Sequence, residues 1–202
     1  YNADVRNFNY PVQLAAQERG STACDLLYAA TKEEYTYSPE NEPHISLNFT
    51  HRLAKVILKF VNMEKEPLEV SDVRIEGMQT AASFNIQTDV LTVDESSVAT
   101  INPYHNATTG FYEAIILPSA LTDSYKVSFV LDDREKEWIF TNLDIALPQF
   151  HKGYSYTFAL YIDDSGFVEM GRLENVEGGN SSAPWDCLLY TSPSPRDGAT
   201  SR

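Results

Sequence analysis

The chain has 202 residues, long enough for one full domain and part of another. Its net charge of −14 and pI near 4.6 leave no basic face for phosphates, so nucleic acid is excluded as a partner. The acidity reads as a solvated, colloidally stable surface, with cation binding as its alternative use.

Residues 1–23 are polar, with Val5, Phe8, Tyr10 and Val12 as their one regular apolar pattern before Gly20-Ser21-Thr22. In Asp25–Ala29, Asp25 could cap a short helical turn. Thr31–Pro43, with the solvated run Lys32-Glu33-Glu34, is acidic and rich in Tyr, Ser and Pro, and reads as a loop. Ile45–Asn62 is the strongest signal in the chain. Ile45, Leu47 and Phe49 alternate with polar residues, and after a break at His51-Arg52 the inward set becomes Val56, Leu58 and Phe60. Apolar density there would suit a helix, but the β-branched and aromatic content favours two strands with a kink near His51. Ile57 spoils the outer face, which predicts cover on both sides for part of the second strand.

Further strands are predicted at Leu68–Met78 (Val70, Val73, Ile75), at Phe84–Ile86 and at Leu91–Val93, with a loop over 94–110 marked by Asn102-Pro103 and Gly110. Phe111–Leu117 is nearly all apolar and stops at Pro118, the pattern of a central strand. Tyr125, Val127, Phe129 and Leu131 alternate into the turn Asp132-Asp133, from which Trp138–Phe140 returns as a hairpin. Leu143, Ile145 and Leu147 run to Pro148. Tyr154, Tyr156, Phe158, Leu160 and Ile162 form the longest alternation, and Phe167–Met170 returns weakly after Asp163–Gly166. No ten-residue segment carries helical periodicity. The fold predicted is all-β, an antiparallel β-sandwich.

The tail from Cys187 to Arg202 changes composition abruptly. Its Cys-Leu-Leu-Tyr-Thr-Ser-Pro-Ser-Pro-Arg-Asp resembles the in-frame translation of a sequencing-library adaptor and is set aside as non-native. Cys24 is then a lone thiol, and no disulfide is expected. The chain begins at Tyr1 rather than Met, so it is expected to be a fragment or a processed product. The lack of a signal peptide therefore says nothing about secretion. No apolar run is long enough for a membrane helix.

No catalytic constellation, metal site or cofactor motif emerges. His44, His51, His105 and His151 lack zinc-ligand spacing and read as half-buried imidazoles bonded to backbone. No serine has nucleophile-elbow context. The carboxylates at Asp94-Glu95, Asp132-Asp133 and Asp163-Asp164 fall at turns, without the spaced oxygens of a calcium loop. A sandwich glycosidase would need two carboxylates converging in a cleft, and the sequence names no such pair. The glycosylation patterns at Asn48 and Asn106 read as chance. Tyr35, Tyr37, Tyr104, Tyr112 and Trp185 are either a sugar-binding platform or, as we prefer, ordinary surface aromatics.

Two segments resemble a known family. Asp25-Leu26-Leu27-Tyr28-Ala29 followed by an acidic linker and by Leu47, Phe49, His51, Leu53, Ala54, Lys55 and Val56 is similar to the fimbrillins, pilin and adhesin subunits of anaerobic Gram-negative gut and oral bacteria. Phe150-His151-Lys152-Gly153-Tyr154-Ser155-Tyr156 resembles the family's Gly-x-x-Tyr-x-Tyr start of a long strand. The resemblance covers roughly residues 1–185. It implies two β-sandwich domains in series, of transthyretin-like or Greek-key-like type, with this chain a fragment holding the C-terminal one. Residues 1–23 would be the tail of a truncated N-terminal domain, 24–43 the link and acidic loop, and 44–175 the sandwich. Residues 176–186 would be a C-terminal segment and 187–202 the non-native tail.

The function implied is non-enzymatic: a structural or adhesive fimbrial subunit on the outer membrane and cell surface, joined to other pilin subunits by strand exchange. Phe167, Val168, Met170, Leu173 and Val176 are the nearest candidates for the subunit interface. Membrane attachment would come only through an N-terminal lipid anchor outside this fragment. The alternative is a surface lipoprotein that binds host glycans or proteins and never polymerises.

Overall fold

A computed structural model of the chain describes residues 8–17, 24–31, 45–63, 69–144, 146–163 and 168–178. The acidic loop with Tyr35 and Tyr37, His44, Ile145, Phe167, and the tail with Trp185 and Cys187 lie outside the described residues.

The strands are β1 (Asn9–Gln13), β2 (Leu27–Tyr28), β3 (Thr50–His51), β4 (Ala54–Asn62), β5 (Val70–Glu76), β6 (Ala81–Asn85), β7 (Val90–Val93) and β8 (Tyr104–Asn106). They continue with β9 (Phe111–Ile116), β10 (Ser119–Ala120), β11 (Lys126–Leu131), β12 (Arg134–Ile139), β13 (Gln149–Phe150), β14 (Tyr154–Ile162) and β15 (Val168–Gly178). A five-stranded sheet, in the order β15-β14-β4-β9-β8, shares one core with a three-stranded sheet, β12-β11-β5. This is the expected sandwich. One pair departs from the antiparallel rule: β14 runs parallel to β4, Ser155–Ile162 against Lys55–Asn62.

Period-two patterning builds the core. Val56 and Leu58 of β4, Val127, Phe129 and Leu131 of β11, and Tyr156, Phe158, Leu160 and Ile162 of β14 are all buried. Aromatic rings fill the centre edge-to-face: Phe140 lies 5.3 Å from Phe158 and 5.7 Å from Phe150, which in turn meets Tyr156 at 5.1 Å. Each such side chain contributes about 1.5–3 kcal/mol by leaving water. In β5 the core-facing residues are Val73 and Ile75, with Val70 packed beside them. Asp72 has a positive φ of 49°, and the β5–β11 register shifts there, so the odd spacing from 70 to 73 reflects a bulge.

A second, smaller core lies behind the large sheet. The sheet β1-β6-β7 covers it with Val12, Ala82 and Phe84, and it meets Leu53, Ile115 and Leu117. Strand β9 therefore buries Ala114 and Ile116 in one core and Ile115 in the other. That explains its nearly continuous apolar sequence and its interior place between β4 and β8. Pro11 sits on the outermost strand of the small sheet, where a missing N–H costs no ladder bond.

Several expectations are corrected. Ile45–Phe49 is not a strand: Ile45, Leu47 and Phe49 are 49, 42 and 37 % exposed, and pairing starts only at Thr50. Its partner β2 is two residues long, so alternation there has nothing to dock on. The kink at His51-Arg52 does occur, between β3 and β4. Ile86 lies beyond the end of β6 and is exposed. The segment 94–110 carries strand β8 within the expected loop. Leu143 and Leu147 pack on the core but belong to no strand, and Gln149–Phe150 pairs with Ser119–Ala120 instead. The hairpin at Asp132-Asp133 forms as expected, both residues having positive φ (50° and 59°), as a two-residue turn requires.

Candidate assembly edge

The predicted interface falls on β15, at one edge of the five-stranded sheet. The strand is eleven residues long, much longer than its sequence suggests. It pairs antiparallel with β14, placing Val176 opposite Tyr156, Leu173 opposite Phe158, Gly171 opposite Leu160 and Val168 opposite Ile162. These four partners all face the main core. Leu173 is half-buried and packs against that core. Val168, Met170, Leu173 and Val176 thus share one strand along the chain's own sheet.

The backbone of β14 holds most of β15, and a strap from residues 142–144 grips its other side. Gly171 N–H donates to the Asn142 carbonyl at 3.0 Å, and Asp144 N–H donates to the Gly171 carbonyl at 3.1 Å. Leu173 N–H reaches Asp144 Oδ1 at 3.3 Å, and Arg172 pairs with Asp144 at 3.4 Å. On the far face, Lys59 Nζ meets Glu174 at 2.5 Å, and the Arg172 guanidinium lies 5.6 Å from the Tyr161 ring centre. These exposed ion pairs are worth about 0–1 kcal/mol each. Pairing with β14 and the contact of Leu173 therefore decide whether the strand stays.

Two other edge strands, β12 and β8, are defended. On β12, Arg134, Glu135 and Glu137 stand exposed, with Glu135 paired to Arg74 and Glu137 to Lys126, as befits an edge that avoids further pairing. Two hydrogen bonds raise the Lys126 ammonium above its ordinary value, chiefly from Glu137 and then from Glu76. At the opposite end, β8 is three residues long and follows Pro103, which has no N–H to extend the ladder.

The remaining candidates do not gather into a site. His51 Nδ1 lies 2.6 Å from Asp25 Oδ2, so a carboxylate is among its partners. Asp25 caps no helical turn, since β2 follows it. His105 stacks on Tyr112, with ring centres 4.6 Å apart. The His151 N–H donates to the Tyr156 hydroxyl at 2.8 Å. Tyr104 pairs with Glu113 and Tyr112 with His105, which puts the two tyrosines on opposite faces of the sheet. Asp94 accepts from the Ser96 hydroxyl and backbone, which hold its carboxyl below the usual range. Asn106 closes its own turn by accepting from Thr108 N–H. Cys24 is free, and burial pushes its thiol up. Among the described residues no group of three His, Cys, Asp or Glu could hold a metal ion, and no helix is long and apolar enough to cross a membrane.

The class the fold defines is an all-β sandwich with an aromatic core and a long strand at one edge of its five-stranded sheet. The chain belongs to the fimbrillin-like family, whose sequence model matches residues 1–185. Family membership supports an adhesive, pilin-type role at the cell surface, among other subunits, rather than catalysis. Its fold is similar to that of a candidate cell adhesion protein from Bacteroides uniformis, at a TM-score of 0.70 and 23 % identity, covering 87 % of this chain and 67 % of that one. It is also similar to one from Bacteroides ovatus, at a TM-score of 0.50 and 17 % identity, covering 68 % of this chain and 49 % of that one. No protein of curated function matches the chain in sequence.

Proposed function

We propose that the chain is part of a fimbrial subunit on the outer membrane that joins its neighbours by exchanging β-strands, with Val168–Gly178 as the segment exchanged. One observation supports this above the others: the last described strand is an edge strand, attached mainly through backbone pairing that an identical strand from another copy could replace. Phe167, Val168, Met170, Leu173 and Val176 would then be the residues that a neighbouring subunit receives. Attachment to the membrane would come through a lipid anchor on the complete protein.

The test is to treat the purified protein with a trypsin-like protease and look for SDS-resistant ladders and, by electron microscopy, fibres. Ladders that disappear on Leu173→Asp support exchange through this strand. A monomer under every condition, with binding on a glycan array, would favour the non-polymerising surface lipoprotein.

A further inference from the structure

The outer edge of β14 makes a specific demand on the strand that covers it. A Cβ placed on Gly171 would stand 2.2 Å from Cζ2 and 2.6 Å from Cε2 of Trp138. Gly171 is not among the residues with positive φ, so the requirement is for space and not for backbone freedom. The indole cannot give way. Trp138 is 1 % exposed, and its ring packs 5.0 Å from Phe140 and 5.9 Å from Phe158. Its Nε1–H donates to the Asn142 carbonyl at 3.2 Å, the same oxygen that accepts the Gly171 N–H.

Gly171 is therefore gripped on three sides: by Leu160 of β14 in register, by Asn142 and Asp144 on the opposite edge, and by the indole on the core side. A slip of two residues preserves which face points inward, so the apolar pattern alone does not forbid it. Such a slip would bring Glu169 or Leu173 over the indole, where not even a Cβ fits. Every group that grips Gly171 precedes residue 164 in sequence. The same strand from another molecule would meet the same socket.

We propose that Trp138 is a register gauge for the outer edge of β14: it admits only a strand with glycine opposite Leu160, and in the assembly that strand is Val168–Gly178 of a second copy of this chain. The second half rests on the strand-exchange reading above; the first does not.

Both halves can be tested by disulfide trapping in the full chain carrying Cys24→Ser and Cys187→Ser. Ala159 and Arg172 are register partners, and they point away from Trp138. With Ala159→Cys and Arg172→Cys in one molecule, an intrachain disulfide is expected. Gly171→Ala should cut its yield about tenfold or more, the scale of an overpacked core contact. Adding Trp138→Leu should restore the yield, and would also restore folding if Gly171→Ala alone fails to fold. An unchanged yield with Gly171→Ala, or no rescue by Trp138→Leu, overturns the gauge.

With the two cysteines on separate molecules, a disulfide-linked heterodimer is expected under polymerising conditions. It should be lost when Gly171→Ala is on the strand donor and regained when Trp138→Leu is on the acceptor. A robust intrachain bond with no heterodimer at any concentration overturns the second copy as occupant and leaves the gauge standing.

Discussion

The buried side chain of Gln17 acts as a one-residue strand against Ile115, 98 positions away in sequence. Its Oε1 accepts the Ile115 N–H at 2.7 Å, and its Nε2 donates to the Ile115 carbonyl at 2.6 Å and to the Leu14 carbonyl at 2.8 Å. The need arises because β8 pairs with β9 only as far as Tyr104 opposite Glu113, and Pro103 precedes it.

Gln17→Leu should therefore cost about 2–5 kcal/mol, since it leaves the Ile115 N–H and two carbonyls without partners in a dry site. Urea denaturation measures the loss, and amide exchange at Ile115 should rise with it. A cost below about 0.5 kcal/mol would show that water takes the place of the amide.

The Asp132-Asp133 turn holds two non-glycine residues at positive φ. Asp133→Gly with Asp132→Asn installs the favoured pair for such a turn and should stabilise the protein by about 0.5–1 kcal/mol. The midpoint of thermal unfolding should rise accordingly, with the β11–β12 pairing unchanged in NMR spectra.

Two glycines separate backbone strain from steric contact. Gly77 (φ +86°) and Gly110 (φ +73°) both adopt left-handed backbone, but a Cβ on Gly77 would lie 1.9 Å from the Ser124 carbonyl oxygen, whereas one on Gly110 meets open space. Gly110→Ala should cost about 1–2 kcal/mol, the backbone penalty alone. Gly77→Ala should cost more, by about 1–3 kcal/mol for the clash. Equal costs in chemical denaturation would refute the contact with Ser124.

Burial raises the Tyr112 and Tyr156 phenols above their ordinary value of 10.0. A group whose folded-state pKa is raised contributes stability that is complete below the unfolded value and disappears as pH rises through the folded one. Thermal stability should thus hold up to about pH 10 and fall above it. Tyr112→Phe, which gives up only the hydroxyl's bond to the Val70 carbonyl, should flatten that fall. Melting temperatures from pH 8 to 11.5 provide the check; an equally steep fall in the variant would assign it to other groups, such as Lys126.

The sandwich was legible where one face of a strand meets one core. Val127, Phe129 and Leu131, or Tyr156, Phe158 and Leu160, alternate because a single dry interface selects every second residue. The same rule misleads at Ile45–Phe49, where the alternation is real but β2 offers only two residues to pair with. It is silent on direction, since β4 and β14 alternate alike whether they run parallel or antiparallel. It is silent too on Gly171–Gly178, whose place depends on backbone pairing, on the space above Trp138 and on the single contact of Leu173 with the core rather than on an alternating apolar pattern. The fimbrillin resemblance, read from Asp25–Ala29, Leu47–Val56 and Phe150–Tyr156, holds over the whole matched length. The carboxylate partner of His51 lies 26 residues away, and no local spacing announces it.

Because Ile115 looks backward while Ala114 and Ile116 look forward, strand β9 acts as a party wall between two rooms. Peeling off the β1-β6-β7 layer would wet Ile115 on β9 itself, with Leu53 and Leu117 at the ends of the strands that form the larger room's wall. A calorimetric scan should accordingly register one endotherm, with neither compartment emptying ahead of the other.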